Sequence, residues 1–502
     1  MNVLKYAALT TAAGFFAVGN ADAADLPVKA KAVEYVKVCS LYGAGFYYIP
    51  GTDTCIRIGG YVRVATSINA GTFDLPYWQG GANGAGSYNK DYFSTRSRLG
   101  LFVDTRTETE YGILRTYANI LFDWSRGREN ISGGFVENDF LFIQFAGFTF
   151  GKAVSQFDPQ WALAKPYIGG TGFISGSNNS TGIDQLAYTA TFGNGVSATI
   201  SLEDAQPYRS AGVINTSSAL LGPFGAATVT YGTTGNTFTG NAQGGDHVPD
   251  IVGNLRIDQS WGSLHLGAAA HEVHGTYYTS SDSTTGHPDS TWGYAVTGAF
   301  ELKNLPTGVG DSLKVVGTFA NGAAKYAFGG TFDTAGAGRF AVANGGSLAF
   351  GYVLDGVYSG LSAASGSSIA KSDAWNVSAF YEHYWTPAWR TSVFGSYSHI
   401  AYGSVGNSLL LAAANSGLLT TGTTTATGNF DLGFVQVGTR TAWTPVKDLT
   451  VGAEFQYTRL EQHLNGTFTS AGASIPGYAP SSKLQLQNQN FYTGTVEILR
   501  SF

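Results

Sequence analysis

The stretch "CIRIGGYVRVAT" at 55–66 alternates with a period of two. Ile56, Ile58, Val62 and Val64 fall on one parity, and Arg57, Tyr61 and Arg63 on the other. That period belongs to a β-strand with two chemically different faces. The pattern repeats in the next two segments. Leu99, Leu101 and Val103 oppose Arg96 and Arg98, and Leu114, Ala118, Ile120 and Phe122 oppose Arg115 and Asn119. An arginine facing lipid at the bilayer midplane costs ~2–4 kcal/mol, and in a dry soluble core several kcal/mol per ion. Two arginines ~8 Å apart in water repel by only about 0.5 kcal/mol. The arrangement of lowest cost is a wide closed barrel with lipid outside and water within.

Alternating segments of ~9–14 residues, the length of a tilted membrane strand, continue through "DFLFIQFAGFTFGK", "DIVGNLRIDQSW", "SLHLGAAAHEVH", "AWNVSAFYEHYW" and "TVGAEFQYTRL". They total about sixteen, within the range of outer-membrane barrels. Region 329–373, with "LAFGYVLDGVYSG", is either an extra hairpin, giving eighteen strands, or a folded outer loop. Connections alternate between tight turns, such as 146–147, 193–195 and 386–388, and long Gly/Ser/Thr/Asn-rich loops at 69–92, 157–183, 205–248 and 404–429. Short turns at one end and long loops at the other mark an outer-membrane meander. No post-leader run of ~18 apolar residues exists, which excludes a helical membrane protein. The expected fold is all-β, a transmembrane antiparallel β-barrel over 55–502. Aromatic clusters such as "FYYIP" and "FYEHYWTPAW" read as an interfacial girdle rather than sugar-stacking platforms.

"MNVLKYAALTTAAGFFAVGNADA" has a cationic start, an apolar middle and an A-x-A close, so residues 1–23 are expected to be a cleaved secretory signal peptide. Residues 24–54 then form a periplasmic N-terminal segment. Cys39 and Cys55 are the only cysteines, and in an exported chain an even pair this close reads as a disulfide. The net charge of −6 offers no reason to invoke nucleic acid.

Enzymatic readings find little support. "HEVH" at 271–274 lacks the H-E-x-x-H spacing, and on a strand His271 and His274 point to opposite faces. "FAGFTFGKAV" fails the phosphate-loop spacing at Ala146 and Ala153, and no G-x-S-x-G elbow occurs. No metal and no cofactor are expected. The alternatives are a structural or adhesin barrel with a plugged lumen and, more remotely, an outer-membrane hydrolase with Ser and His assembled across strands.

"VEYVKVCSLYGAGFYYIPGTDTCIRIGGYVR" (33–63) closely resembles the N-terminal signature of the alphaproteobacterial general porins. "FIQFAGFTFGK" (142–152), "GNGVSATISLE" (193–203), "VPDIVGNLRIDQSWGS" (248–263) and the terminal "RSF" are similar to further blocks of that family. The resemblance implies a sixteen-stranded barrel, usually a homotrimer, for passive diffusion of small hydrophilic solutes. It places the chain among outer-membrane lipid and lipopolysaccharide. It also implies that the loop after the fifth strand, about 157–183, folds inward as a constriction, offering Asp158 and Lys165 with Asp184 just beyond. Arg57, Arg63, Arg96, Arg98 and Arg115 would make a basic wall opposite. Phe502, closing the alternating segment "GTVEILRSF", resembles the signal read by outer-membrane assembly machinery.

Overall fold

The structure, a computed structural model, describes residues 37–502 apart from 70–84, 87–91, 126–134, 169–171, 179–180, 206–208, 219, 221–241, 280–281, 330–338, 420, 473 and 476. The leader expected at 1–23 lies outside the described residues. Sixteen antiparallel strands form the wall. The first eight are β1 Cys55–Ile68, β2 Phe93–Thr109, β3 Gly112–Ser125, β4 Phe135–Phe145, β5 Phe148–Ala153, β6 Ile183–Gly193, β7 Val196–Glu203 and β8 Asp250–Gln259. The others are β9 Gly262–Val273, β10 Thr291–Lys303, β11 Ser312–Asn321, β12 Asp373–Thr386, β13 Trp389–Ala401, β14 Gly422–Val446, β15 Leu449–Ser470 and β16 Gln489–Ser501. Each pairs with its sequence neighbour, and β16 returns to β1 through Tyr61–Ser501 to Ile68–Gly494, so no edge is left open. No helix among the described residues is long and apolar enough to cross a membrane.

Parity sorts the two faces. Outward positions are apolar and accessible, as at Ile58, Val62, Leu266, Val437 and Ile498, while inward positions are polar and buried, as at Gln436, Gln456, Ser396 and Thr495. Outward aromatics gather at two levels. Trp261, Trp385, Trp389 and Trp443 lie beside the short turns, and Phe93, Trp124, Trp292, Trp375 and Tyr492 lie toward the long loops. This is the amphipathic-ring girdle that headgroup regions favour.

The described residues of 322–372 add nothing to the wall, because β11 pairs continuously with β12 from Ser312–Glu382 to Asn321–Asp373. The number of wall strands is therefore sixteen. The hairpin Arg339–Asn344 with Ser347–Tyr352 instead pairs in parallel with 485–486 and 85–86. Phe340, Leu348, Phe350 and Tyr352 are fully buried against inward residues of β14 and β15, including Phe434, Leu460 and Phe468. The helix Gly403–Asn415 contributes Leu410 and Ala414 to the same apolar cluster. A small sheet of Val213–Asn215, Gly356–Tyr358 and Ala370–Lys371 ties two outer loops together. The long loops thus fold into a cap with its own core.

At the opposite end, Cys39 and Cys55 are joined by a disulfide, their Cα atoms 6.1 Å apart. With buried Phe46 they form a small satellite core, and Tyr47–Tyr48 pairs with the start of β1.

Candidate pore constriction

A loop without a partner strand must still satisfy its backbone groups. The segment after β5 does so on inward side chains of the wall. Asn254 donates to the Gln156 carbonyl at 2.6 Å, Lys314 to that of Ala164 at 2.9 Å, and Ser392 to that of Pro166 at 2.5 Å. In return, Glu454 accepts from Ile168 N at 2.5 Å, Gln436 from Ile174 N at 2.8 Å and Asn376 from Gly176 N at 2.7 Å. These partners come from β8, β11, β13, β15, β14 and β12, so the loop crosses the lumen. Tyr167 and Phe173 anchor it on Phe380 and Phe394, with ring centroids 5.2–5.8 Å apart.

Beside this crossing lies a polar cavity of about 420 Å³, lined by Ala164–Ile168, Arg63, Lys314, Glu382, Tyr384, Arg390, Arg440, Glu497 and Leu499. Its charges are partly paired: Arg440 Nη2 is 3.1 Å from Glu497, Arg390 Nε 3.7 Å from Glu382, and Lys314 Nζ 3.5 Å from Glu301. Lys165 also lines the cavity, its ammonium bonded to Ser175 at 2.5 Å and to Ser177. Burial among these groups lowers its pKa to about 7, Asp158 opposing the shift and Lys314 adding to it.

The residues singled out from sequence separate into several environments. All five arginines have inward parity, but only Arg63 lines this cavity. Arg57 stacks over Phe46 and Phe102, its guanidinium carbon 5.2 and 5.1 Å from the ring centroids. Arg98 is 2.8 Å from the buried Asp123, Arg115 is 3.0 Å from the buried Asp104, and Arg96 is itself buried. Carboxylates on the same face, Asp104 and Asp123, thus accompany the arginines of the expected basic wall. Asp158 is buried and ion-paired to Arg209 at 2.6 Å, so it presents no acidic face to the lumen. Asp184 lies on β6 with the outward parity of Leu186 and Tyr188 and is exposed, which removes it from the lumen charge.

Sequence reasoning missed Arg390, Arg440, Lys314, Glu382 and Glu497. The signal was present, because Arg390 shares parity with Ser392 and Ser396, and Arg440 with Gln436. Parity applied to the later strands finds both.

A closed wall with an apolar exterior, a polar interior and a loop across the lumen defines an outer-membrane channel-type β-barrel. The family model described as "Porin subfamily" matches residues 25–495, and the chain belongs to that family. Porin Omp2b of Brucella suis biovar 1 (strain 1330) is 32% identical over 281 residues, covering 54% of this chain and 66% of the relative. Porin Omp2b of Brucella abortus (strain 2308) has the same identity and coverage, so the chain spans slightly less than two thirds of these curated relatives. The crystal structure of the outer membrane channel DcaP of Acinetobacter baumannii shares the fold. Its TM-score is 0.55 at 12% identity, covering 91% of this chain and 99% of that one.

Proposed function

We propose that the chain forms a water-filled passive diffusion channel in the bacterial outer membrane, for small hydrophilic solutes and ions, with a preference for anions. The observation that carries the preference is the lining of the cavity beside the loop. Arg63, Lys165, Lys314, Arg390 and Arg440 face it, against only Glu382 and Glu497. A cationic excess at a narrow wet passage raises the local concentration of anions and lowers that of cations. The inward loop contributes no free carboxylate to this balance, since Asp158 is consumed by Arg209. Membership of the porin subfamily supports the channel reading over the enzymatic one. Assembly as a homotrimer among lipid and lipopolysaccharide, export through the leader at 1–23, and recognition of Phe502 by assembly machinery belong to the same proposal.

Single-channel recording in planar bilayers tests it, with reversal potentials measured in a salt gradient. Stepwise conductance with anion preference at low salt is the expected result. A second reading, a structural barrel with an occupied lumen, is favoured by one observation: the outer loops bury Phe340, Phe350 and Tyr352 completely inside the barrel mouth. Folded, membrane-inserted protein without conductance would establish that reading and end the channel proposal.

A further inference from the structure

The sequence "HEVH" divides at the outer rim of β9. His271 faces inward and is buried. Glu272 has the outward parity of Leu264 and Leu266, and His274 follows the last residue of the strand. The loop leading into β8 is stitched alongside. Gly244 N donates to the His274 carbonyl at 2.9 Å, Thr276 N to the Ala242 carbonyl at 2.8 Å, and Gln243 bridges to Gly275. This pairing lays the His247 ring against that of His274, centroids 3.9 Å apart. Glu272 turns toward the same loop, accepting from His247 N at 3.2 Å. One donor atom from each of His247, Glu272 and His274 lies within 4.8 Å of the others.

We propose that His247, Glu272 and His274 form a divalent transition-metal site, best suited to Zn²⁺, that staples the loop before β8 to the loop after β9 on the outer surface. Two features support it beyond proximity. The Nδ1 of His274 is 2.7 Å from Ser290 Oγ, the kind of outer-sphere bond that sets a tautomer and leaves the other nitrogen free to bind a metal. Gly244 makes room for the ring, because a Cβ there would sit 2.3 Å from His274 Cδ2 and 2.7 Å from Nε2.

Two imidazoles and one carboxylate suit zinc and disfavour Ca²⁺ and Mg²⁺, which take oxygen ligands. Zinc bonds of ~2.0–2.1 Å place tetrahedral ligands about 3.4 Å apart. The donors therefore close by at most about 1.4 Å on binding, a movement open to the exposed His247. Water completes the sphere, or His287, whose ring is 6.1 Å from that of His274. The site is on the outward parity of the wall, so it is independent of the pore.

The test is calorimetric titration of untagged, detergent-folded full-length protein with ZnCl₂, alongside MgCl₂. One saturable Zn²⁺ per protomer is expected, with no saturable Mg²⁺ response. His247→Ala and His274→Ala should each weaken zinc at least about tenfold, and Ser290→Ala by about tenfold through its loss of orientation. His463→Ala, an exposed histidine elsewhere, should leave affinity unchanged. Retained heat-modifiable migration shows that each variant is folded. Absence of stoichiometric zinc binding to the wild type, or binding that both histidine substitutions leave intact, overturns the proposal.

Discussion

Arg209 and Asp158 meet in a buried ion pair, Nη2 to Oδ2 2.6 Å, with each side chain 1% exposed. The pair joins the outer loop between β7 and β8 to the loop crossing the lumen. The guanidinium also lies over Tyr326 at 4.5 Å and Phe157 at 5.6 Å, so aromatic faces cover what the carboxylate does not. The position of the constriction thus depends on the cap.

Breaking this pair from one side leaves an uncompensated buried charge, a cost of about 3–5 kcal/mol. Arg209→Met is expected to lower the temperature of heat-modifiability and to make the single-channel current noisier as the loop loosens. Combining it with Asp158→Leu should recover much of the loss, because an apolar pair of similar volume replaces a buried ion pair at little net cost. A double variant no more stable than the single one contradicts this account.

The lumen charges differ in what they control. Arg63, Arg390 and Arg440 line the cavity, so changing all three to Gln should move the reversal potential toward cations. The shift should fade between 0.1 M and 1 M salt, as the Debye length drops from ~10 Å to ~3 Å. Arg98 lies away from the cavity and is bound to Asp123. Arg98→Gln should therefore cost stability and leave selectivity nearly unchanged. The opposite ranking of the two variants would place the selective zone near Arg98.

Lys165 adds a pH dependence. Its pKa is lowered to about 7, so it is charged below that pH and neutral above. Anion preference should rise as pH falls through about 7, and Lys165→Met should remove that step. Reversal potentials measured on both sides of neutrality decide it.

Phe502 exchanges two backbone hydrogen bonds with Gly60, each 3.0 Å. Deleting it removes about 0.5–1.5 kcal/mol per bond, little for a barrel whose seam pairs β1 with β16 from Tyr61–Ser501 to Ile68–Gly494. A large fall in outer-membrane-inserted, heat-modifiable protein is nonetheless expected, with export across the inner membrane intact. That combination points to recognition by assembly machinery rather than seam stability, and normal insertion of the deletion contradicts it. Gly60→Ala is a separate probe of the seam, since its Cβ would meet the Gly100 carbonyl at 2.2 Å.

The disulfide closes a loop with a sequence separation of 16, and a loop of ~15 residues contributes about 3 kcal/mol. Cys39→Ser is expected to release the segment before β1 to proteolysis. The barrel should persist, because β1 is paired on both sides by β2 and β16. Limited proteolysis with mass spectrometry reads both results.

The wall was legible from the residue order alone. Alternation is a local property, written strand by strand, and an arginine on one parity with aliphatics on the other leaves a water-filled barrel as the arrangement of least cost. That same local rule, carried into β13 and β14, identifies Arg390 and Arg440. The loops carry no period, so their contacts follow from the folded chain. Asp158 reads as a free acid until the chain returns 51 residues later with Arg209. Asp184 looked like part of the constriction until β6 began one residue before it and turned it outward. The alternating run within 339–352 reads equally as wall or cap, because a strand's period does not name its partner. The continuous pairing of β11 with β12 assigns it to the cap. His274 likewise gains His247 only through backbone pairing between two loops, a contact between segments that no spacing along the chain encodes.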